Sequence, residues 1–458
     1  MIAMLGRIGL QSLALSFAFG RVAALDLDVT GQDSIKSTAK TLAGGIVAFY
    51  NDSLKADGIP GLFPDPYYWW EAGAVFHGLI EYSHLTGDSQ YDSLVSEALQ
   101  WQLGDDKAFM PANQTGSLGN DDQSTWGLAA ITAAEVGFPK PKDGNWIDYA
   151  VNVFDTQLSR LQAENGTCGG GLRWQMLTFN TGYDYKDSTS NGNFFLLAAR
   201  LAKLTGDATY SEWAEKSFIW AKDIGLISDS YAVYDGASAK QGCESISKIE
   251  WSYHNGIYAE GAALMSNITN GAQNWTDAVK GLVNASSVFL DYNVLVEVAC
   301  ENSGECDVDQ RAYKGITARS LARAALSAPV VADSIKTILQ ASAKGAASAC
   351  SGSGEDVSCK FSWAESDSKG ETASAKDGNL GEVFDALEVV QALLYPQAKA
   401  IVSGDGQGSG SGSGDATQTG GASGTSGTAS PQQTGAAGVN VASIIAALAL
   451  AFAVVLSY

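Results

Sequence analysis

The chain is poor in base. It carries 28 lysines and arginines against 50 aspartates and glutamates, for a formal charge of −22. Phosphate backbones repel such a protein, which argues against nucleic acid as a partner. Histidine is scarcer still, with three in all. His77, His84 and His254 make no HExxH pair, no Cys/His zinc spacing and no triad, so no catalytic metal is expected. No cofactor is expected either. Gly169-Gly170-Gly171 lacks the strand–helix setting and the Lys-Ser/Thr of a phosphate loop, and reads as a flexible turn. Alternating strand-like runs are few, and the longest apolar runs stand at the two ends of the chain.

Those ends read as addresses. Arg7, the apolar run from Ile8 to Phe19 and the small residues Val22-Ala23-Ala24 make residues 1–24 a secretory signal. At the other end, residues 401–430 are a Gly/Ser/Thr-rich linker, and residues 431–458 supply a spacer and an apolar terminus with no basic residue after it. That order matches a GPI-attachment signal with a removable tail, with Gly424, Ser426 and Gly427 all acceptable as the attachment residue. A single-pass helix is the alternative, and the missing Lys/Arg stop argues against it. A secreted, surface-anchored and monomeric protein is expected. Export makes sense of the six cysteines, which an oxidising route pairs as disulfides. The sequence does not choose among the pairings, although the short loops favour Cys300–Cys306 and Cys350–Cys359, leaving Cys168–Cys243. Sequons at Asn51, Asn113, Asn165, Asn267, Asn274 and Asn284 support glycosylation.

Residues 25–400 form the folded part. Apolar residues recur there at helical spacing, which predicts helices near 35–50, 67–85, 90–103, 121–136, 145–162, 189–204, 207–223, 255–267, 274–292, 311–327, 330–344 and 380–395. Connections alternate between short and long, as in an array of helix hairpins with its long loops on one rim. Weak internal similarity agrees, as in Thr86-Gly87-Asp88 against Thr205-Gly206-Asp207. Six hairpins can close into an all-α (α/α)6 barrel or stack as an open solenoid. The apolar, Gly- and Ala-rich second helices, as at Gly127-Leu128-Ala129-Ala130, look packed on all sides and favour closure.

All six cysteines fall in the long loops, and so do the groups suited to sugar. The long-loop rim gathers Tyr67-Tyr68-Trp69-Trp70-Glu71, Asp121-Asp122-Gln123, Gly171-Leu172-Arg173-Trp174, Tyr183-Asp184-Tyr185-Lys186, Trp251-Ser252-Tyr253-His254-Asn255 and Asp309-Gln310-Arg311. Flat apolar faces beside directed polar groups are what a carbohydrate groove requires. Asp121 and Asp122 are adjacent carboxylates without a charged neighbour, where a loop enters an apolar helix. Such a pair suits glycoside hydrolysis, because two close carboxyls cannot both ionise cheaply and so divide into acid and base. Helix capping would also explain an aspartate there.

The succession Tyr-Tyr-Trp-Trp-Glu-Ala-Gly (67–73), Gly-Asn-Asp-Asp-Gln-Ser-Thr-Trp-Gly (119–127), Gly-Gly-Gly-Leu-Arg-Trp-Gln (169–175), Ser-Asn-Gly-Asn-Phe (190–194) and Tyr-His-Asn-Gly (253–256) resembles glycoside hydrolase family 76. The resemblance runs over residues 30–395. It implies an (α/α)6 barrel and a retaining α-1,6-mannanase, and the two end signals make the chain similar to the family's fungal cell-surface members. Carried over, Asp121 matches the nucleophile and Asp122 the general acid/base. The helix N-terminus would keep Asp121 ionised while repulsion holds the proton on Asp122. Neighbours on a regular helix diverge by about 100°, so the pair is expected to straddle the loop–helix junction. Trp69, Trp70, Gln123, Trp126, Trp174, Tyr183, Asn193, Trp251, His254, Asn255 and Arg311 are the expected sugar-binding residues. The donor would be α-1,6-mannan or a GPI-core glycan, the mannosyl group passing to water or to an acceptor such as β-glucan. A mannan-binding lectin would use the same groove without chemistry, and retention of both aspartates favours the enzyme.

Overall fold

The structure, a computed structural model of the whole chain, describes residues 24–401 apart from 117, 165, 365–372 and 376–377. The signal segment before residue 24, the sequon at Asn165, and the linker, anchor residues and tail beyond residue 401 therefore lie outside the described residues.

Twelve α-helices stand among the described residues: α1 (Gln32–Asp57), α2 (Trp69–Thr86), α3 (Asp92–Trp101), α4 (Asn120–Glu135), α5 (Trp146–Ala163), α6 (Ser188–Thr205), α7 (Ala208–Asp223), α8 (Ser252–Ile268), α9 (Gln273–Ala285), α10 (Tyr313–Ser327), α11 (Ala332–Ala349) and α12 (Leu380–Ala392). All twelve expected helices are present. The largest departures are at α1, which runs on to Asp57, and at α9, which stops at Ala285. A single 3-10 turn follows, and then the hairpin of β4 (Leu290–Asp291) and β5 (Val294–Leu295) turns at Tyr292 and Asn293, whose φ angles are 48° and 70°. Left-handed backbone at two successive residues cannot continue a right-handed helix.

The even-numbered helices make an inner ring, each packed on the next, and α12 returns to α2. Closure into an (α/α)6 barrel, rather than an open solenoid, follows from that last contact. Inner helices are buried nearly all round, whereas α5, α9 and α11 bury one stripe. Tight inner packing depends on small residues. A Cβ at Gly73 of α2 would stand 2.9 Å from the Trp126 ring of α4. None of the helices among the described residues is long and apolar enough to cross a membrane.

Every long connection runs into the N-terminus of an inner helix, so these connections share one rim, and the short ones lie at the other. Three disulfides staple the long loops: Cys168–Cys243, Cys300–Cys306 and Cys350–Cys359. Short strands also order them. β1 (Tyr185–Asp187), β2 (Gly236–Ser238) and β3 (Ile246–Ser247) form one antiparallel sheet, and β6 (Cys350–Ser351), β7 (Ser358–Cys359) and β8 (Ala373–Ser374) another. The triglycine turn is a fixed part of this scaffold, because Lys186 Nζ donates to the carbonyls of Thr167, Gly170 and Gly171 at 2.9, 2.6 and 2.9 Å.

Deep in the barrel the inner helices close the bore with charge. Arg323 of α10 donates to Glu81 of α2 at 3.1 Å, to Glu260 of α8 at 2.8 Å and to Glu135 of α4. Arg200 of α6 grips both oxygens of Glu135 at 3.0 and 2.7 Å, and Arg319 of α10 meets Glu388 of α12 at 3.0 Å.

Candidate active site

A cavity of about 780 Å³ opens among the long loops and descends the bore toward Arg200 and Arg319. Asp121 and Asp122 line it from the first turn of α4, which begins one residue earlier, at Asn120. The pair therefore sits inside the helix rather than astride its junction. The two carboxyls nonetheless converge, because both turn back over Gly119. Asp122 Oδ2 accepts the Gly119 N–H at 3.1 Å, and a Cβ at Gly119 would lie 2.1 Å from Asp121 Oδ1. Only glycine leaves room for that arrangement. From across the cleft the indole N–H of Trp174 donates to Asp121 Oδ2 at 2.9 Å.

Four more carboxylates line the same cavity, Asp187, Asp235 and Asp309 near the pair and Glu260 in the ionic layer of the bore. Asp187 caps α6, its Oδ2 accepting the Ser190 N–H at 2.8 Å, while its Oδ1 has no hydrogen-bond partner. Asp309 accepts the indole N–H of Trp70 at 2.8 Å, and Asp235 that of Trp251 at 3.0 Å. Burial pushes Asp122 up to about 7, with Asp309 and Asp187 adding to the rise and the Gly119 N–H opposing it. Burial also lifts Asp121 well above the usual carboxylate range, followed by repulsion from Asp122 and Asp187. Both members of the pair are thus raised, in place of the expected low Asp121 and high Asp122. The macrodipole of one helix end is too small to offset burial among like charges.

Of the expected sugar-binding residues, Trp69, Trp70, Trp174, Asn193, Trp251 and His254 line the cavity. Asn193 and His254 are buried, and Trp69, 8 % exposed, commits its indole N–H to Gln102 at 2.9 Å. Five do not line it. Trp126 is fully buried, stacked between Trp69 and Phe109. Gln123 spends its amide on Ala108 O, Thr156 and Arg160. Asn255 ties α8 to α9 through Leu282 O at 3.0 Å. Tyr183 lies under the Arg173 guanidinium, 4.4 Å from its ring centre. Arg311 pairs with Glu382 at 3.1 Å in a smaller neighbouring hollow that shares Tyr68 with the main cavity.

Other residues line the cavity as well. Tyr253 stacks on Tyr313 with centroids 3.9 Å apart, and the Thr189 hydroxyl joins Tyr253 and His254 at 2.6 and 2.8 Å. Phe179, 75 % exposed, stands at the mouth. Asp187 was within reach of sequence reasoning, since Asp-Ser-Thr-Ser ahead of an apolar helix is an N-cap pattern at the start of an inner helix, as at Asp121.

The family model for glycosyl hydrolase family 76 matches residues 34–405. The chain is 39 % identical to mannan endo-1,6-alpha-mannosidase DFG5 of Saccharomyces cerevisiae over 83 % of this chain and 82 % of that protein. It is 38 % identical to mannan endo-1,6-alpha-mannosidase DCW1 of Candida albicans over 83 % and 84 % of the two chains. Among solved structures, Dfg5 from Chaetomium thermophilum in complex with glucosamine superposes with a TM-score of 0.77 at 36 % identity, over 83 % of this chain and 94 % of that one. An inactive α-1,6-mannanase variant from Salegentibacter, in complex with α-1,6-mannotriose, shares the fold at a TM-score of 0.61 and 19 % identity, over 79 % and 99 % of the chains. With the barrel closed, an acid pair at its mouth and these matches along the folded part, the chain belongs to glycosyl hydrolase family 76.

Proposed function

We propose that the protein is a retaining glycosidase or transglycosidase acting on α-1,6-linked mannose in cell-wall assembly. The observation that carries this reading is the convergence of Asp121 and Asp122 over Gly119 in a cleft walled by Trp70, Trp174 and Trp251. Asp121, with the Trp174 N–H to stabilise its anion, attacks the anomeric carbon while Asp122 passes its proton to the departing glycosidic oxygen. Asp122 then takes a proton from water or from an acceptor hydroxyl. That oxygen bonds to the anomeric carbon and frees the Asp121 carboxylate. The aromatic rings offer flat faces to pyranoses. Trp69, His254 and Asn193 complete the proposed sugar contacts.

The donor is α-1,6-mannan or the mannose of a GPI-core glycan. The glucosamine in the Chaetomium relative fits the second, since that core carries an unacetylated glucosamine. Transfer to a β-glucan acceptor is the physiological outcome we favour, because an anchored enzyme that freely cut mannan would damage the wall it serves. The signal and tail read at the two ends would place it at the cell surface.

The test is to incubate the purified folded part with α-1,6-mannobiose or a GPI-core trisaccharide, with and without β-glucan, and to identify the products by mass. Asp121→Asn should abolish turnover yet keep sugar affinity. Asp122→Asn should hurt most with poor leaving groups, because an activated aryl mannoside needs less protonation. Products unchanged by acceptor would refute transfer. Full activity in the double Asn variant would refute the catalytic assignment altogether.

A further inference from the structure

Arg160 of the outer helix α5 is a cation without an anionic partner: among the described residues no carboxylate lies within ion-pair distance of it, in a chain so rich in acid. Its surroundings are largely closed, and burial lowers it to about 10. The guanidinium is occupied by neutral groups instead. Nε donates to Asn120 Oδ1 at 2.8 Å, one terminal nitrogen donates to Gln123 Oε1, and the other faces Met110 Sδ at 3.7 Å. Asn120 and Gln123 are the residues immediately before and after the Asp121–Asp122 pair. One turn earlier on α5, Gln157 Nε2 donates to the Asn120 carbonyl at 2.7 Å.

Asn120 is itself a junction. Its Nδ2 donates to Arg173 O at 2.9 Å, and its backbone N–H donates to Trp174 O at 2.8 Å. The strip that bears Trp174 is thereby fastened to the helix turn that bears Asp121, and the Trp174 indole closes the circuit on Asp121 Oδ2 at 2.9 Å. A planar fork with fixed donors suits such a task, because it sets two acceptors at a defined spacing, which the single ammonium of lysine cannot do.

Resting on the assignment of Asp121 as nucleophile, we propose that Arg160 is a positioning residue of the reaction, setting the Asp121–Trp174 contact from the outer ring through Asn120 and Gln123. It touches neither the pair nor the sugar. Its contribution is therefore to turnover and not to substrate affinity.

Arg160→Met, Arg160→Lys, Trp174→Phe, the Arg160→Met/Trp174→Phe double variant and Asp121→Asn are to be assayed on α-1,6-mannobiose well below their melting temperatures, which are recorded separately. Misplacing a reacting group by a fraction of an ångström to an ångström costs about ten- to a hundredfold in rate. Arg160→Met should therefore lose that much kcat with KM within about twofold. Arg160→Lys should do no better, since it keeps the charge but not the fork. The double variant should lose little beyond the worse single one, because both changes act on the same Asp121 contact. Full rescue by lysine, additive losses, or a lowered melting temperature with unchanged kcat would each overturn the proposal. An active Asp121→Asn would overturn the reading beneath it as well, whereas an inactive Asp121→Asn beside an unimpaired Arg160→Met would overturn this inference alone.

Discussion

Asp309 shows how single residues set the chemistry of the cleft. Its charge raises the proton affinity of Asp122, while its Oδ1 is engaged by Trp70. Asp309→Asn keeps an oxygen for the indole and removes the charge. If Asp122 is the general acid, activity is lost as pH rises through its pKa, and a lower pKa brings that loss earlier. The alkaline limb of kcat/KM should then move down by roughly one pH unit, and a profile that stays in place would take Asp309 out of the account. At this scale the acid pair was legible because adjacent carboxylates at a helix entrance are unusual. Which neighbours reach the sugar was not. Gln123 follows the pair directly yet faces outward to α5, because successive residues around a helix point in different directions, and Trp126, one turn on, is taken up by stacking between Trp69 and Phe109. Arg311 shares its long loop with Asp309 and still falls in the next hollow.

At the scale of elements, helices were readable and strands were not. Each inner helix repeats apolar residues over more than three turns, which gives periodicity something to act on. β1, β2 and β3 are two or three residues long, and β1 pairs with β2 from a different loop, so no local pattern marks them. What holds that sheet is partly covalent. Cys168–Cys243 joins the loop before α6 to the loop before α8 across a separation of 75 residues. Replacing both cysteines with serine should cost about 3–5 kcal/mol by chemical denaturation, from chain entropy restored to the unfolded state. Because Asp187 ends β1 and Asp235 precedes β2, cleavage should fall at denaturant concentrations that leave helical circular dichroism intact. Loss of the two signals together would mean that the loops are not a separable layer.

For the molecule as a whole, the ionic layer in the bore is the feature that most constrains the sequence. Arg323→Met leaves Glu81 and Glu260 buried without their cation, and breaking a buried pair in this way costs about 3–5 kcal/mol. The pH dependence should invert. In the native protein Arg200 and Arg323 hold Glu135 below its usual range, so that contribution is present at neutral pH and fades as pH falls through the lowered value. In Arg323→Met, burial would raise the stranded glutamates, and acid would then restore stability by neutralising them. The deficit against the native protein, measured by urea titration, should be smaller at pH 5 than at pH 8. An equal deficit at both would show that packing and not charge is what the arginine supplies.

The inner helices are parallel, and at the mouth their N-termini meet acid nearly all round. Glu71 reaches the Tyr68 N–H, Asp122 that of Gly119, Asp187 that of Ser190, Glu297 that of Ser252 and Asp385 that of Gly315. Deeper in the bore, Arg200 in the second half of α6 and Arg323 in the second half of α10 pair with glutamates of the neighbouring inner helices. The peptide dipoles of the inner helices thus turn their positive ends toward the acids of the mouth. Acid at the mouth is held by backbone N–H groups rather than by surface base. Mobile ions screen charges that face solvent far more than they screen those built into a wall. A cleft made this way keeps a nearly constant potential while the salt around it changes.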